Sequence, residues 1–148
     1  MLSLTSEYAL RAMVYLARHA DDWPIPGRRI AQEAGIPSKY LSSVLGDLVR
    51  AGILAASPGR RGGFRMVRAP ETVPLYDILV LFESTLKSRR PCPFGNAVCS
   101  DENPCGGHDQ WKRVQQAFSL FLRDTSVRDV AAGSNGRGRK GGRKRKST

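Results

Sequence analysis

The most constraining feature of the chain lies between residues 28 and 67. Residues 28–34 read as a short helix stopped by Gly35, and Ile36-Pro37-Ser38 forms a turn. A further helix starts with Ser38 as its cap and carries an apolar face of Leu41, Val44, Leu45 and Leu48. It exits through Ala51-Gly52-Ile53-Leu54 into a short strand. Residues 57–63, with three glycines and a proline, make a turn, and residues 64–67 read as the returning strand. A helix pair followed at once by a β-hairpin is the order of a winged helix-turn-helix. The expected fold class is therefore mainly α with a small β-hairpin.

The flanking segments extend this frame. Residues 4–7 open a first helix, with Thr5 or Ser6 as cap and Glu7 favouring the positive end of the helix dipole. Leu10, Met13, Val14 and Ala17 follow at helical spacing to about His19, and Pro24 and Pro26 mark a break. A helix is expected from Leu75 to Leu86, with Pro74 near its first turn. Residues 89–107 are rich in Pro, Gly and Cys and show no periodicity. A long C-terminal helix runs from His108 to about Arg123 and carries Trp111, Val114, Phe118, Phe121 and Leu122 on one stripe. The expected organisation is a winged helix-turn-helix at 1–86, a cysteine-bearing loop at 87–107, the C-terminal helix at 108–130, and a disordered basic tail at 131–148. No run of about 18 apolar residues is present, which argues against a membrane span. The N-terminus has no basic end followed by an apolar run, so a cytoplasmic location is expected.

Charge sharpens the reading of the helix pair. Of the formal net charge of +11, seven positive charges belong to residues 133–148, which contain no acid, leaving +4 on the rest. Both parts favour a polyanionic partner. A winged helix-turn-helix inserts its second helix into the major groove of double-stranded DNA. The exposed face of that helix would carry Ser38, Lys39, Tyr40, Ser42 and Ser43. Arg28 and Arg29 stand where backbone phosphates pass. At the wing tip, Arg60 and Arg61 can enter a minor groove, with Gly62 allowing close backbone approach.

All three cysteines, Cys92, Cys99 and Cys105, lie in one irregular segment, and His108 follows at the spacing C-x6-C-x5-C-x2-H. An odd count in a reducing compartment argues against a disulfide framework. The gaps are wider than the pairs typical of structural zinc, and a loop of this length can wrap an iron–sulfur cluster. Three thiolates leave one position for a weaker fourth ligand, which suits a sensor. Direct thiol oxidation and inert cysteines are the other readings.

These stretches together resemble the IscR/NsrR group of bacterial iron–sulfur regulators, the Rrf2 family, over about residues 1–130. Leu4-Thr5-Ser6-Glu7-Tyr8-Ala9-Leu10-Arg11-Ala12 resembles its first helix. Ile36-Pro37-Ser38-Lys39-Tyr40-Leu41 through Leu48, with Ala51-Gly52-Ile53-Leu54, resembles its recognition helix and exit, and Gly59 to Phe64 its wing. The resemblance implies a homodimer joined through the C-terminal helix, with Trp111, Val114, Phe118 and Phe121 at the interface, and a pseudo-palindromic operator. It also implies an iron–sulfur cluster on Cys92, Cys99 and Cys105. His108 would complete a 2Fe–2S site, the form preferred here; Glu7 of the partner subunit would complete a 4Fe–4S site. Pro58 stands where many members carry arginine, so minor-groove contact falls to Arg60 or Arg61.

The function expected is therefore a DNA-binding transcriptional regulator, a repressor, whose operator binding follows redox state, nitric oxide or iron–sulfur status. The alternatives are a thiol-redox or zinc-containing DNA-binding regulator, and a non-specific nucleic-acid-binding protein driven by the basic tail. No nucleophile–base pair or phosphate-binding loop is present, so an enzyme is not expected.

Overall fold

The computed structural model describes residues 2–87 and 92–133. From residue 134 onward the expected basic tail lies outside the described residues, as do positions 88–91 of the expected loop. The elements are α1 (Leu4–Arg18), α2 (Gly27–Ala34), α3 (Ser38–Arg50), β1 (Leu54–Ser57), β2 (Gly63–Met66), α4 (Leu75–Phe82), α5 (Ser84–Lys87), α6 (His108–Asp124) and α7 (Val127–Ala132), with single 3-10 turns at Ala20–Asp22 and Pro70–Thr72. This mostly helical architecture with one antiparallel hairpin matches the fold class expected from the sequence. No helix among the described residues is long and apolar enough to cross a membrane.

Helix α1 is the hub. Ala9, Ala12, Met13 and Leu16 are fully buried on it, and α2, α3, α4 and α7 all pack against it. Its N-cap is Ser3, with neither Thr5 nor Ser6 in that role: Ser3 Oγ accepts from Ser6 N at 3.2 Å. Ser6 faces inward, is fully buried, and donates its hydroxyl to Glu83 Oε1 at 2.6 Å. The same oxygen accepts from Ser3 N at 2.6 Å. A carboxylate thus sits at the positive end of the α1 dipole. This reach also explains why the helix expected over 75–86 is broken. Glu83 takes an extended backbone between α4 and α5, 8% exposed, with its carboxylate turned to α1.

Helix α2 ends at Gly35, whose φ of 66° closes the turn in the left-handed region that glycine favours. Pro37, in extended backbone, occupies the cap position of α3 without a side-chain cap bond. Ser38 is consequently the first helical residue and does not cap the helix as expected. Its exposed hydroxyl is available to an outside partner.

The two strands pair from Leu54 opposite Met66 to Ser57 opposite Gly63. Ile25, from the segment between α1 and α2, adds a third position to this ribbon: its N–H donates to Phe64 O at 3.0 Å and its carbonyl accepts from Phe64 N at 2.8 Å. The wing is thereby fastened to the body. Beyond α6 the chain turns back. The helix expected from His108 to about Arg123 ends at Asp124, and within the 108–130 segment Ser126 and Asp129 form a capping box that starts α7. Arg18 then donates to Ala131 O at 3.0 Å and Gly133 O at 3.1 Å, holding α7 on α1.

A tyrosine in the α1–α2 contact gives a direct check of this packing. Tyr15 donates its hydroxyl to Glu33 Oε2, and burial followed by this bond pushes the phenol up to about 12. A pKa raised on folding contributes stability that is complete below the ordinary tyrosine value near 10 and is lost as pH rises through about 12. Alkaline difference spectroscopy should therefore find one of the four tyrosines ionising near 12. Tyr15→Phe should remove that step; its persistence in the variant would assign it elsewhere.

Candidate DNA interface and metal centre

The exposed start of α3 presents Ser38, Lys39, Tyr40, Ser42 and Ser43. Ser42 Oγ donates back to Ser38 O at 3.1 Å, so of the two it is the less free to reach outward. Tyr40 is 50% exposed and its ring lies 5.8 Å from that of Tyr8, whose other neighbour is the Arg11 guanidinium at 5.7 Å. Arg28 is exposed. Arg29 is occupied within the fold by Asp22, seven positions back, at 2.8 Å and by Glu33, at helical i,i+4 spacing, at 3.3 Å. Arg60 and Arg61 are exposed at the wing tip. Gly62 is buried, and a Cβ there would lie 2.1 Å from Ser57 O, so its place is set by the turn itself. Arg11 and Arg65 are further exposed cations, on α1 and on β2. Both are unpaired with any carboxylate among the described residues, and Arg11 stands three residues along α1 from Tyr8.

The irregular segment gathers its three cysteines. Their sulfurs all lie within 4.8 Å of one another, with Cys92 Sγ and Cys105 Sγ 3.7 Å apart, and all three thiols are free. His108 opens α6 with Nδ1 3.1 Å from Cys99 Sγ and Nε2 2.9 Å from Asp101 Oδ1. Lys112 Nζ lies 2.7 Å from both Asp101 oxygens. That bond, then the one from His108, pulls the Asp101 carboxyl down to about 2. At Cys92 burial opposes ionisation, but the backbone N–H groups of Phe94 and Asn96 and the Cys105 and Cys99 thiols together bring it down to about 7. At Cys99 the Cys105 backbone favours the thiolate, yet burial and the two neighbouring sulfurs outweigh it and push the thiol up. A cavity of about 380 Å³ is lined by the cysteines, Asp101, His108 and Trp111, among others.

The spacing of the donors suits a metal. Two thiolates on one tetrahedral ion with bonds near 2.3 Å stand about 3.8 Å apart, which matches the Cys92–Cys105 separation. Thiolates with an imidazole select zinc or iron–sulfur clusters over hard cations. The residues fit such a group. Glu7 is exposed on the first turn of α1 and is not among the donors that one chain brings together.

Helix α6 is only partly covered. Leu122 is buried, and Trp111 and Phe118 are half-buried, while Val114, Leu120 and Phe121 are 48%, 59% and 52% exposed. A groove of about 220 Å³ runs beside this face between Leu2, Tyr76, Leu86, Trp111 and Phe118. Leu120 was not part of the sequence-predicted stripe.

A family profile described as "Rrf2: Iron-dependent Transcriptional regulator" matches residues 2–133. An HTH-type transcriptional regulator of Synechocystis sp. is 37% identical over 140 residues, covering 87% of this chain and 86% of that protein. The HTH-type transcriptional regulator IscR of Aliivibrio salmonicida is 28% identical over 131 residues, covering 87% and 77%. Among solved structures, CymR, the global cysteine regulator of B. subtilis, superposes with a TM-score of 0.75 at 22% identity, covering 91% and 98%, a likeness of fold.

Proposed function

Because the chain belongs to the Rrf2 family of transcriptional regulators, we propose that it is a homodimeric, operator-binding repressor whose DNA affinity follows an iron–sulfur centre held by Cys92, Cys99, Cys105 and His108. It is a DNA-binding regulator and not an enzyme, as its relatives are. The observation that carries the finer reading is the convergence of three free thiols with an imidazole nitrogen 3.1 Å from one of them. A cluster bound there would supply reversible electron transfer and a target for oxidant or nitric oxide.

The chain's own residues supply the rest. Ser38, Lys39 and Tyr40 would read base edges in the major groove, with Ser43 beside them. Arg28, Arg60 and Arg61 would bind phosphates and the minor groove in place of the occupied Arg29. The exposed side of α6 would meet its copy, giving half-sites about 34–36 Å apart. His108 is the fourth ligand favoured here over Glu7 of the partner subunit, since its nitrogen already faces the thiols. The close span of the sulfurs also favours a second reading, one tetrahedral zinc ion on the same four residues.

Anaerobic purification followed by visible spectroscopy and assays of iron, acid-labile sulfide and zinc decides between them. A brown protein with iron and sulfide, whose colour is bleached and whose operator affinity changes by about tenfold or more (1.4 kcal/mol) on adding nitric oxide, is the expected result. A colourless zinc protein would replace the cluster by the second reading. A metal-free protein with unaltered DNA binding would sink both.

A further inference from the structure

The imidazole of His108 bridges two chemically different neighbours. Nδ1 faces the Cys99 sulfur at 3.1 Å, and Nε2 faces the Asp101 carboxylate at 2.9 Å. Lys112, one turn along α6 from His108, places its ammonium 2.7 Å from each oxygen of that carboxylate. An ionised carboxylate only accepts hydrogen bonds, so the ring nitrogen against it must carry the hydrogen. The opposite tautomer would set a lone pair against an anionic oxygen. In the neutral ring, Nδ1 is then bare, and a bare nitrogen is what a metal requires.

We propose, on the reading of His108 as a metal ligand, that Asp101 steadied by Lys112 is a positioning residue that fixes the Nε2–H tautomer of His108 and aims Nδ1 into the thiol site. Exposure argues against a mere stabilising ion pair. The Asp101 and Lys112 side chains are 65% and 44% exposed, where such pairs contribute little, whereas the ring they orient is 16% exposed. What the lysine adds is direction: holding both oxygens leaves the carboxylate one orientation towards the ring. A hydrogen-bonded carboxylate behind a ligating imidazole sets ring orientation and raises ligand basicity, and removing it typically costs about 10–100-fold in metal affinity.

Two measurements test this on the full chain. Long-range proton–nitrogen correlation spectra of the apo-protein near pH 8, above the ordinary imidazole range, read the tautomer of His108 directly. Titration with Co²⁺ as the probe metal reads affinity and the tetrahedral thiolate spectrum. In the wild type His108 should be the Nε2–H form and Co²⁺ should bind. Asp101→Ala should mix the tautomers and weaken Co²⁺ by about 10–100-fold with helical content unchanged, and Asp101→Glu should recover part of both. An Nδ1–H form in the wild type, failure of the wild type to bind Co²⁺, or an Asp101→Ala variant that keeps either its tautomer or its Co²⁺ affinity overturns the assignment. A protein purified without iron and sulfide would instead defeat the cluster reading, while the tautomer and Co²⁺ results still decide the role of Asp101.

Discussion

A chain carrying Val114→Asp and Phe121→Asp together is expected to sediment as a monomer and to lose about 10²-fold or more in affinity for a two-half-site operator. The reason begins with exposure. Phe121 leaves about half of its surface in solvent, roughly 100 Å² available for burial, and at ~25 cal/mol/Å² that is about 2.5 kcal/mol for each copy. In the proposed homodimer a two-fold axis counts it twice. Aspartate removes that gain and sets like charges facing each other across the same axis. The monomer fold should survive, because the residue that anchors this end of α6 is Leu122, 1% exposed, and neither substituted position belongs to the buried core. Circular dichroism and the thermal midpoint should therefore remain close to the wild type. Affinity falls steeply because each recognition helix then binds its half-site alone and the gain in effective concentration from linkage disappears. A double variant that stays dimeric, or a monomer that binds the operator as tightly as before, would place the interface elsewhere.

Much of this was legible in the sequence, for an identifiable reason. Helices whose apolar positions recur locally, such as Leu41, Val44, Leu45 and Leu48, declare themselves within a few turns. The hairpin declares itself through its glycines and the cysteine site through clustering in one segment. Features fixed by residues distant along the chain were not legible. The cap of α1 and the break at Glu83 are one interaction across about eighty positions, seen from its two ends. Arg29 is a nearer case: Glu33 stands at helical i,i+4 spacing on α2, while the contact with Asp22 needs the turn between α1 and α2. The docking of α7 on α1 through Arg18 is a further such feature, which apolar spacing does not report. The role of Asp101 needed the loop closed onto the first turn of α6, since nothing in the interval to Lys112 marks the pair.

Gly63→Ala is expected to part the wing from the body of the fold. At Gly63 the backbone φ is +155°, and a Cβ would stand 2.3 Å from both the carbonyl carbon and oxygen of Ile25 and 2.7 Å from Pro26 N. Every one of these atoms is backbone, so no side-chain rotation relieves the overlap. The segment under pressure is the one that pairs with Phe64 through bonds of 3.0 and 2.8 Å, and Ile25 itself is fully buried. Relief requires the wing to part from the body, losing both hydrogen bonds and opening the core at Ile25. Overpacking and backbone strain of about 1–3 kcal/mol each put the loss at about 2–6 kcal/mol, a large share of the roughly 5–15 kcal/mol that holds a domain folded. Gly59→Ala is the discriminating companion. Its φ of +95° is also unfavourable, but nothing lies within 4 Å of the added Cβ, so only the backbone term of about 1 kcal/mol applies. Denaturant unfolding of the two variants should separate them by several-fold in the loss of stability. Equal and small losses, with operator binding alone impaired, would mean that Gly63 serves close approach to DNA and does not seat the wing.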